Sequence, residues 1–250
     1  MCYDVQYYTR KKEEYAERFG LTSEQSESIL NWLTNNNSSH IPVYHSNAFS
    51  HPYLPVVYND GRFNVGWFYW GLIPSWIKDS HNAVQISNKT LNARGETIFE
   101  KPSFRNSAKN KRCVIMLDAF FEHHHAKDLV IPFRISMPDQ MPFGVAGLWS
   151  QWDSQDRCIN SVTIVTTTGN ELMSNIHNNP KLPEPRMPVI ITQENQATWL
   201  DVNTAKSELK QIITPFNGQL NSYTVQKLRG KVALGNIPEV LNNMDYKIDL

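Results

Sequence analysis

Hydrophobic and polar positions alternate differently in two parts of the chain. Near the N-terminus, the apolar side chains recur at helical spacing in two stretches, TRKKEEYAERFG and LTSEQSESILNWLTNNN. The first predicts a short helix with Tyr15 and Phe19 on one face and Gly20 at its end. The second predicts a longer helix with Ser23 as a candidate N-cap. The inward-facing side chains expected in this second helix are Ile29, Leu30 and Leu33.

From residue 41 onward most apolar stretches are short, β-branched or aromatic, and bounded by Asn, Asp, Gly or Pro, which predicts strands. These stretches are IPVYH, LPVVY, FNVGWFYWGL, CVIML, VIPFRIS, FGVAGLW and SVTIVTT. Their spacing is usually too tight for intervening helices, which disfavours a parallel doubly wound sheet. Later, ENQATWL and TAKSELKQII indicate helices, and NSYTVQK indicates a strand. We therefore predict a single α+β domain over residues 1–250, built on mostly antiparallel sheet.

Composition narrows the function classes. Lys plus Arg and Asp plus Glu both number 24, so a protein that coats nucleic acid by bulk charge is disfavoured, although a local basic groove is not. The three cysteines, Cys2, Cys113 and Cys158, form no CxxC pair, which argues against a zinc ribbon or disulfide scaffold. Without a signal-like start or a membrane-length apolar run, we expect a cytoplasmic protein.

The opening MCYDV places a cysteine at the second position. Removal of Met1 would leave Cys2 with a free α-amine and a thiol on adjacent carbons. Such a 1,2-aminothiol can condense with an aldehyde and close a thiazolidine ring, which an internal cysteine cannot do. The alternative is an incidental cysteine in a frayed terminus.

Two further segments combine residues suited to nucleic acid. WGLIPSW holds Trp70 and Trp76, which predict either core packing or an aromatic platform for unstacked bases. LNARGET offers Asn92, Arg94 and Glu96, which suit either an ordinary surface loop or a site where an arginine fork binds phosphate.

Proton-transfer chemistry is suggested by KRCVIMLDAFFEHHH. We expect Glu122 at the end of an apolar strand, partly desolvated, where a carboxylate can take and return a proton; a solvated hairpin residue is the alternative. The run of His123, His124 and His125 resembles a metal tract, but consecutive strand residues point to opposite faces, so we predict no metal site and no cofactor.

The segment NIHNNPKLPEPRMPVIIT carries His177 at the expected end of a short helix and Arg186 leading into a strand. His177 is either a structural histidine or a proton shuttle, and Arg186 could close a phosphate clamp. KPSFRNSAKNKR, residues 101–112, gathers five basic residues and no acids, which suits either a solvated face or a groove for a nucleic-acid backbone.

Taken in order, Cys2 after Met1, WGLIPSW, NARGET, the RC-strand-FFE segment and the IH…RMPVI segment resemble the SRAP family of SOS-response-associated peptidases, or abasic-site-processing proteins. The resemblance spans residues 2–191 and implies a barrel-like β core with peripheral helices. It also implies a DNA-associated protein that binds single-stranded DNA at an abasic site, and we expect this protein to be a monomer. The cysteine amine and thiol would then form a covalent thiazolidine with the open-chain sugar and so shield the lesion. The family is further associated with self-processing peptidase activity and with strand scission by a lyase route.

The resemblance also implies residue roles. Asn92 would hold the N-terminal residue and Arg94 would contact the DNA backbone. Glu122 would be the acid/base beside the Cys2 amine, and His177 would assist sugar ring-opening. Contacts with the bound strand are implied for the remaining four residues, Trp70, Trp76, Thr166 and Arg186.

This chain departs from the family pattern at three places. The family commonly opens Met-Cys-Gly-Arg, whereas Tyr3 and Asp4 stand here, so the arginine expected to bind phosphate is missing. NNPKLPEP separates His177 from Arg186, and His123 replaces the usual aromatic after the glutamate. Two other functions stay open: an Ntn-type amidohydrolase with Cys2 as nucleophile, and a non-catalytic module for single-stranded DNA.

Overall fold

The computed structural model of the chain describes residues 2–35, 41–127, 129–154, 157–179 and 183–247. Seven helices lie within these ranges: α1 Lys12–Phe19, α2 Ser23–Asn35, α3 Ser80–Ser87, α4 Arg105–Asn110, α5 Glu171–Ile176, α6 Gln193–Leu200 and α7 Lys206–Ile212. Both N-terminal helices and the two late helices, α6 and α7, are confirmed. The side chain of Leu33, predicted to face inward, lies outside the described residues.

The ends of the first two helices follow from local chemistry. Gly20 ends α1 in the left-handed region at φ 66°, where glycine has no Cβ to clash. The predicted N-cap of α2 is wrong by one residue, because Ser23 is already helical. Thr22 caps this helix instead: its hydroxyl accepts from the Gln25 backbone at 3.2 Å, and the Gln25 side chain accepts from the Thr22 backbone at 3.0 Å.

Thirteen strands are found in the described ranges. They are β1 Asp4–Tyr7, β2 Val43–Asn47, β3 Tyr53–Asn59, β4 Phe63–Trp70, β5 Asn92–Arg94, β6 Arg112–Leu117, β7 Ala119–Ala126, β8 Leu129–Ser136, β9 Phe143–Asp153, β10 Cys158–Thr168, β11 Arg186–Pro188, β12 Ile190–Ile191 and β13 Asn221–Thr224. Every predicted strand is present. The NAR segment, which polar composition made look like a loop, is the short strand β5.

A closed barrel forms the centre of the molecule. Strands β10, β4, β3, β6 and β9 pair in that order, and β9 pairs back onto β10 to complete the ring. All of these pairings are antiparallel except that of β10 with β4. Strand β5 adds to β10 in parallel, and β11 and β12 extend the same sheet. The predicted α+β, mostly antiparallel and barrel-like fold is confirmed.

A second sheet carries the N-terminus, with strand order β13-β8-β7-β1-β2. Strand β1 is therefore an interior strand, antiparallel to β7 on one side and to β2 on the other. All four of its residues are buried. The first described residues are thus fixed between two neighbours rather than frayed, which places Cys2 at a defined position.

The main hydrophobic core fills the barrel and the space between the two sheets. Representative side chains such as Ile115, Val145 and Ile164 are fully buried. A smaller cluster lies beyond β7, where Phe121 packs against Val225, Leu228 and Val240 of the C-terminal segment. Among the helices that the structure describes, none has the length and apolar character needed to cross a membrane.

Candidate active site at the N-terminal strand

Cys2 precedes β1 and lies where three parts of the chain meet. The antiparallel register pairs Asp4 with Phe121, which brings the N-terminal residues alongside Glu122 on β7. The side-chain amide of Asn92 donates to the Cys2 carbonyl at 2.8 Å. Asn92 is held in turn because β5 pairs in parallel with β10, matching Asn92 to Ile164. The NAR strand therefore holds the backbone of Cys2.

Glu122 and His177 form a buried pair beside this residue. Their side chains are 8% and 4% exposed, and Nδ1 of His177 lies 2.7 Å from Oε2 of Glu122. This separation is within hydrogen-bonding distance, although the two groups are not aligned as a hydrogen bond. Glu122 was predicted at a strand end but lies in the middle of β7, since the strand continues to Ala126. Its burial is as predicted.

The backbone places His177 where helix α5 ends. Its N–H donates to the Met173 carbonyl at 2.8 Å, so the histidine closes the last turn of the helix. The α5 end is tied to β7, because Nδ1 of His124 lies 3.2 Å from the Ile176 carbonyl. This contact fixes the end of α5, which carries His177, relative to β7, which carries Glu122.

The Cys2 thiol lies in an environment that disfavours its ionised form. Burial raises the pKa of the Cys2 thiol well above its ordinary value, and the charge of Glu122 raises it further. Cys2 itself is 1% exposed. The thiol is therefore protonated at neutral pH, and any reaction at sulfur requires its proton to be taken up by a neighbouring group.

A cleft of about 530 Å³ opens beside the pair. Its walls include Tyr3, Glu122 and His177 on one side and Lys227 and Arg229 of the C-terminal segment on the other. Ligand sites commonly fall between about 300 and 1,000 Å³, so a single sugar or nucleotide unit fits such a cleft.

Asp4 is a site residue for which sequence reasoning gave no role. Its buried carboxylate accepts from Asn47 at 2.8 Å, lies 2.9 Å from Nε2 of His45, and contacts the guanidinium of Arg229. Burial opposes its ionised form, but the His45 contact and Arg229 together hold the pKa of Asp4 below its ordinary value. Only the basic composition of QKLRGK, residues 226–231, could have drawn attention to Arg229.

Arg186 is buried and binds groups inside the protein. It is 1% exposed, its two terminal nitrogens lie 2.8 and 2.9 Å from the two carboxylate oxygens of Glu96, and it also contacts Glu184. It donates to the carbonyl of Thr166 at 2.9 Å, and Thr166 is itself fully buried. A guanidinium already matched by carboxylates cannot also clamp a phosphate in this arrangement, so for Arg186 and Thr166 the structure supports a positioning role behind β5 and β10.

The two tryptophans of WGLIPSW lie in different environments. Trp70 is fully buried and its indole N–H donates to the Leu91 carbonyl at 2.8 Å, so it packs in the core and offers no ring face to a base. Trp76 is 52% exposed and lines a second groove of about 300 Å³ with Lys109 and Lys111. DNA contacts by Trp76, and by the exposed Arg94, stay predictions.

The basic segment 101–112 likewise contains both exposed and buried basic side chains. Lys109 and Lys111 face the second groove, whereas Arg112 is buried and donates to the Trp199 carbonyl at 2.7 Å. His123 and His125 line the first cleft, while His124 faces helix α5, which follows from strand alternation. Across the described ranges, no three His, Cys, Asp or Glu side chains are arranged to hold a metal ion.

Comparison with known proteins gives a consistent result. The profile of one family, SOS response associated peptidase (SRAP), matches residues 1–232. The abasic site processing protein YoqW of Bacillus subtilis (strain 168) is 38% identical over 193 residues, or 75% of this chain and 81% of that protein. The abasic site processing protein HMCES of Xenopus tropicalis is 29% identical over 153 residues, covering 53% of this chain and 43% of that protein. The crystal structure of a Bacteroides thetaiotaomicron protein superposes with a TM-score of 0.82 at 30% identity, covering 97% of this chain and all of that one.

Proposed function

Since the chain belongs to the SRAP family, we propose that it processes abasic sites by binding single-stranded DNA and linking Cys2 covalently to the ring-opened sugar. The observation that carries this proposal is the buried Glu122–His177 pair next to a cysteine whose carbonyl is held by Asn92. A positioned acid/base pair, a fixed N-terminal residue and a sugar-sized cleft are the parts this reaction requires.

The chemistry proceeds in two steps once Met1 has been removed. The α-amine of Cys2 attacks the sugar aldehyde, and loss of one water gives an imine. The thiol then adds across the C=N bond: sulfur bonds to carbon and the thiol proton passes to nitrogen, which closes the thiazolidine. Glu122 takes and returns protons during these steps, and His177 protonates the ring oxygen when the sugar opens.

Burial of the thiol suits this order of events. A protonated thiol does not compete with the amine for the aldehyde, because the thiolate is the nucleophilic form of cysteine. After the imine forms, Glu122 can accept the proton that sulfur must lose.

Amidohydrolysis by an Ntn-type mechanism is less well supported. That mechanism needs an activated thiol, whereas burial and the Glu122 carboxylate both raise the pKa of the Cys2 thiol. The peptidase activity associated with the family would act here as removal of Met1 or self-processing. Lyase activity would need only the α-amine, because an imine suffices for strand scission.

The proposal is tested by intact mass spectrometry after incubation with an abasic single-stranded oligonucleotide. We expect a species without methionine whose mass is protein plus oligonucleotide minus one water. Cys2→Ser should form only an imine, trapped by borohydride but absent after denaturation without reductant. Cys158→Ser is the matched control, since it removes the exposed cysteine and should leave the adduct unchanged.

Three results would contradict the proposal. Capture of the lesion by protein that retains Met1 would exclude the aminothiol. A denaturation-resistant adduct in Cys2→Ser would show that sulfur is not needed. Release of ammonia from glutamine, without any DNA adduct, would favour the amidohydrolase instead.

A further inference from the structure

The C-terminal segment 225–229 is fixed against the strand that carries Glu122. The Val225 N–H donates to the Pro132 carbonyl at 3.0 Å, which continues the pairing of β13 with β8. Val225 and Leu228 are buried against Phe121, the residue before Glu122. Because these two side chains point inward, the intervening segment is held in place, and Lys227 and Arg229 line the cleft.

Arg229 reaches across the cleft to the N-terminal strand. Its Nη2 contacts Oδ2 of the buried Asp4 carboxylate, and its guanidinium carbon lies 5.8 Å from the centre of the Phe49 ring. The Phe49 ring also stacks on the Tyr3 ring, and their ring centres are 5.1 Å apart. The Arg229 side chain is nevertheless 45% exposed, in contrast to the 1% of Asp4. Asp4 therefore orients a guanidinium that still faces solvent.

A cationic side chain at the cleft is needed if a DNA phosphate is to approach the carboxylates that line it. The carboxylates of Asp4 and Glu122 line the cleft and act electrostatically on Cys2, and a DNA phosphate brought there would meet their repulsion. Among the described residues of the cleft wall, the side chains that carry a permanent positive charge are Lys227 and Arg229. A guanidinium has five N–H donors in a planar fork, so one edge can contact a carboxylate while another binds phosphate.

We propose that Arg229, oriented by Asp4, binds the DNA phosphate adjacent to the abasic sugar, with Lys227 as a second contact. This inference rests on the proposed function. It assigns the strand-positioning role at the reactive N-terminus to a residue more than 200 positions away in the chain.

The test separates binding from reaction. Binding is measured on a single-stranded oligonucleotide carrying a tetrahydrofuran abasic analogue, which has no aldehyde, at several salt concentrations. Crosslinking is measured on the same sequence with a true abasic site. We compare Arg229→Gln and Arg229→Lys with Lys231→Gln, which removes an equal charge from an exposed position two residues beyond Arg229.

We expect Arg229→Gln to bind the analogue about tenfold more weakly. Its log–log salt dependence should become shallower by about 0.7, the value for one phosphate contact on single-stranded DNA. Arg229→Lys keeps the charge but not the fork and should fall between wild type and Arg229→Gln. Lys231→Gln should bind within about twofold of wild type, as expected of an exposed charge outside the site.

Equal binding and equal salt slopes for Arg229→Gln and Lys231→Gln would overturn the inference, and so would lower thermal stability of Arg229→Gln with an unchanged slope. If Arg229→Gln fails to fold, Lys227→Gln and Arg229→Lys carry the same comparison, because Lys227 is exposed and Arg229→Lys retains the charge. Absence of any adduct with wild-type protein would instead refute the proposed function.

Discussion

Replacing Glu122 by glutamine tests the proton-transfer role most directly. The substitution removes the charge and the basic oxygen but keeps the shape of a side chain that is 8% exposed. His177 keeps a polar neighbour, since its Nδ1 lies 2.7 Å from the oxygen position that the amide would occupy. The fold should therefore survive, at a cost of about 1–3 kcal/mol if one buried polar group is left without a partner.

Glu122→Gln should slow adduct formation but make the Cys2 thiol easier to alkylate at a given pH. A positioned acid or base typically contributes about 10²–10⁴ in rate, so adduct formation by Glu122→Gln should slow by that factor. The Glu122 carboxylate is also one of the causes that raise the pKa of the Cys2 thiol. Removing it should shift that pKa downward, so alkylation of Cys2 should become half-maximal at a lower pH than in wild type.

The assay measures both effects on the same protein. Adduct formation is followed on denaturing gels with an abasic oligonucleotide, and Cys2 alkylation is followed by peptide mass spectrometry across pH in a Cys158→Ser background. Glu208→Gln, which removes an exposed carboxylate on α7, is the control and should change neither quantity. A folded Glu122→Gln that forms adduct at the wild-type rate, or whose alkylation midpoint rises, would refute the reasoning.

Two further predictions concern stability. Arg186→Gln should lower the free energy of unfolding in urea by about 2 kcal/mol, because it removes a buried guanidinium that pairs with Glu96 and Glu184 and donates to the Thr166 carbonyl. Glu184→Gln removes only one of these partners, at a carboxylate that is 43% exposed, and should cost less than about 1 kcal/mol; equal losses would contradict this role of Arg186. Because the pKa of Asp4 is depressed in the folded protein, its carboxylate contributes stability above the unfolded value of about 4 and loses it as the pH falls through the lower folded value. The gap in melting temperature between wild type and Asp4→Asn should therefore be largest near neutral pH and shrink below about pH 4; a gap that widens in acid would be inconsistent with a depressed pKa.

Much of the fold could be predicted because it is specified by local pattern. Short β-branched stretches predicted strands such as CVIML, which lies within Arg112–Leu117. Helical spacing with a terminal glycine in TRKKEEYAERFG predicted a helix, which is found at Lys12–Phe19. Barrel closure could not be predicted in the same way. It depends on the parallel pairing of Ser161 with Tyr69 and of Val162 with Trp70, between segments about 90 residues apart.

The candidate site likewise has residues that local motifs predicted and residues whose surroundings only the fold reveals. Ordered motifs identified Cys2, Asn92, Glu122 and His177, and the structure brings these residues together. A sequence does not reveal whether an arginine is already paired inside the fold, which is why Arg186 resembled a phosphate ligand.

For the same reason Arg229 gave no local signal. Its importance comes from a contact with Asp4, and that contact exists only after β1 has been inserted between β7 and β2.

The central position of β1 in its sheet has a consequence for biosynthesis. The N-terminal residues leave the ribosome first, yet their neighbours are encoded far downstream: β7 near residue 120, His177 at the end of α5, and Arg229 close to the C-terminus. Domains rich in such distant pairings fold slowly, since loop closure must precede the contacts that reward it. The site that we propose for the reaction with abasic DNA can therefore assemble only after the segment that carries Arg229 has been synthesised.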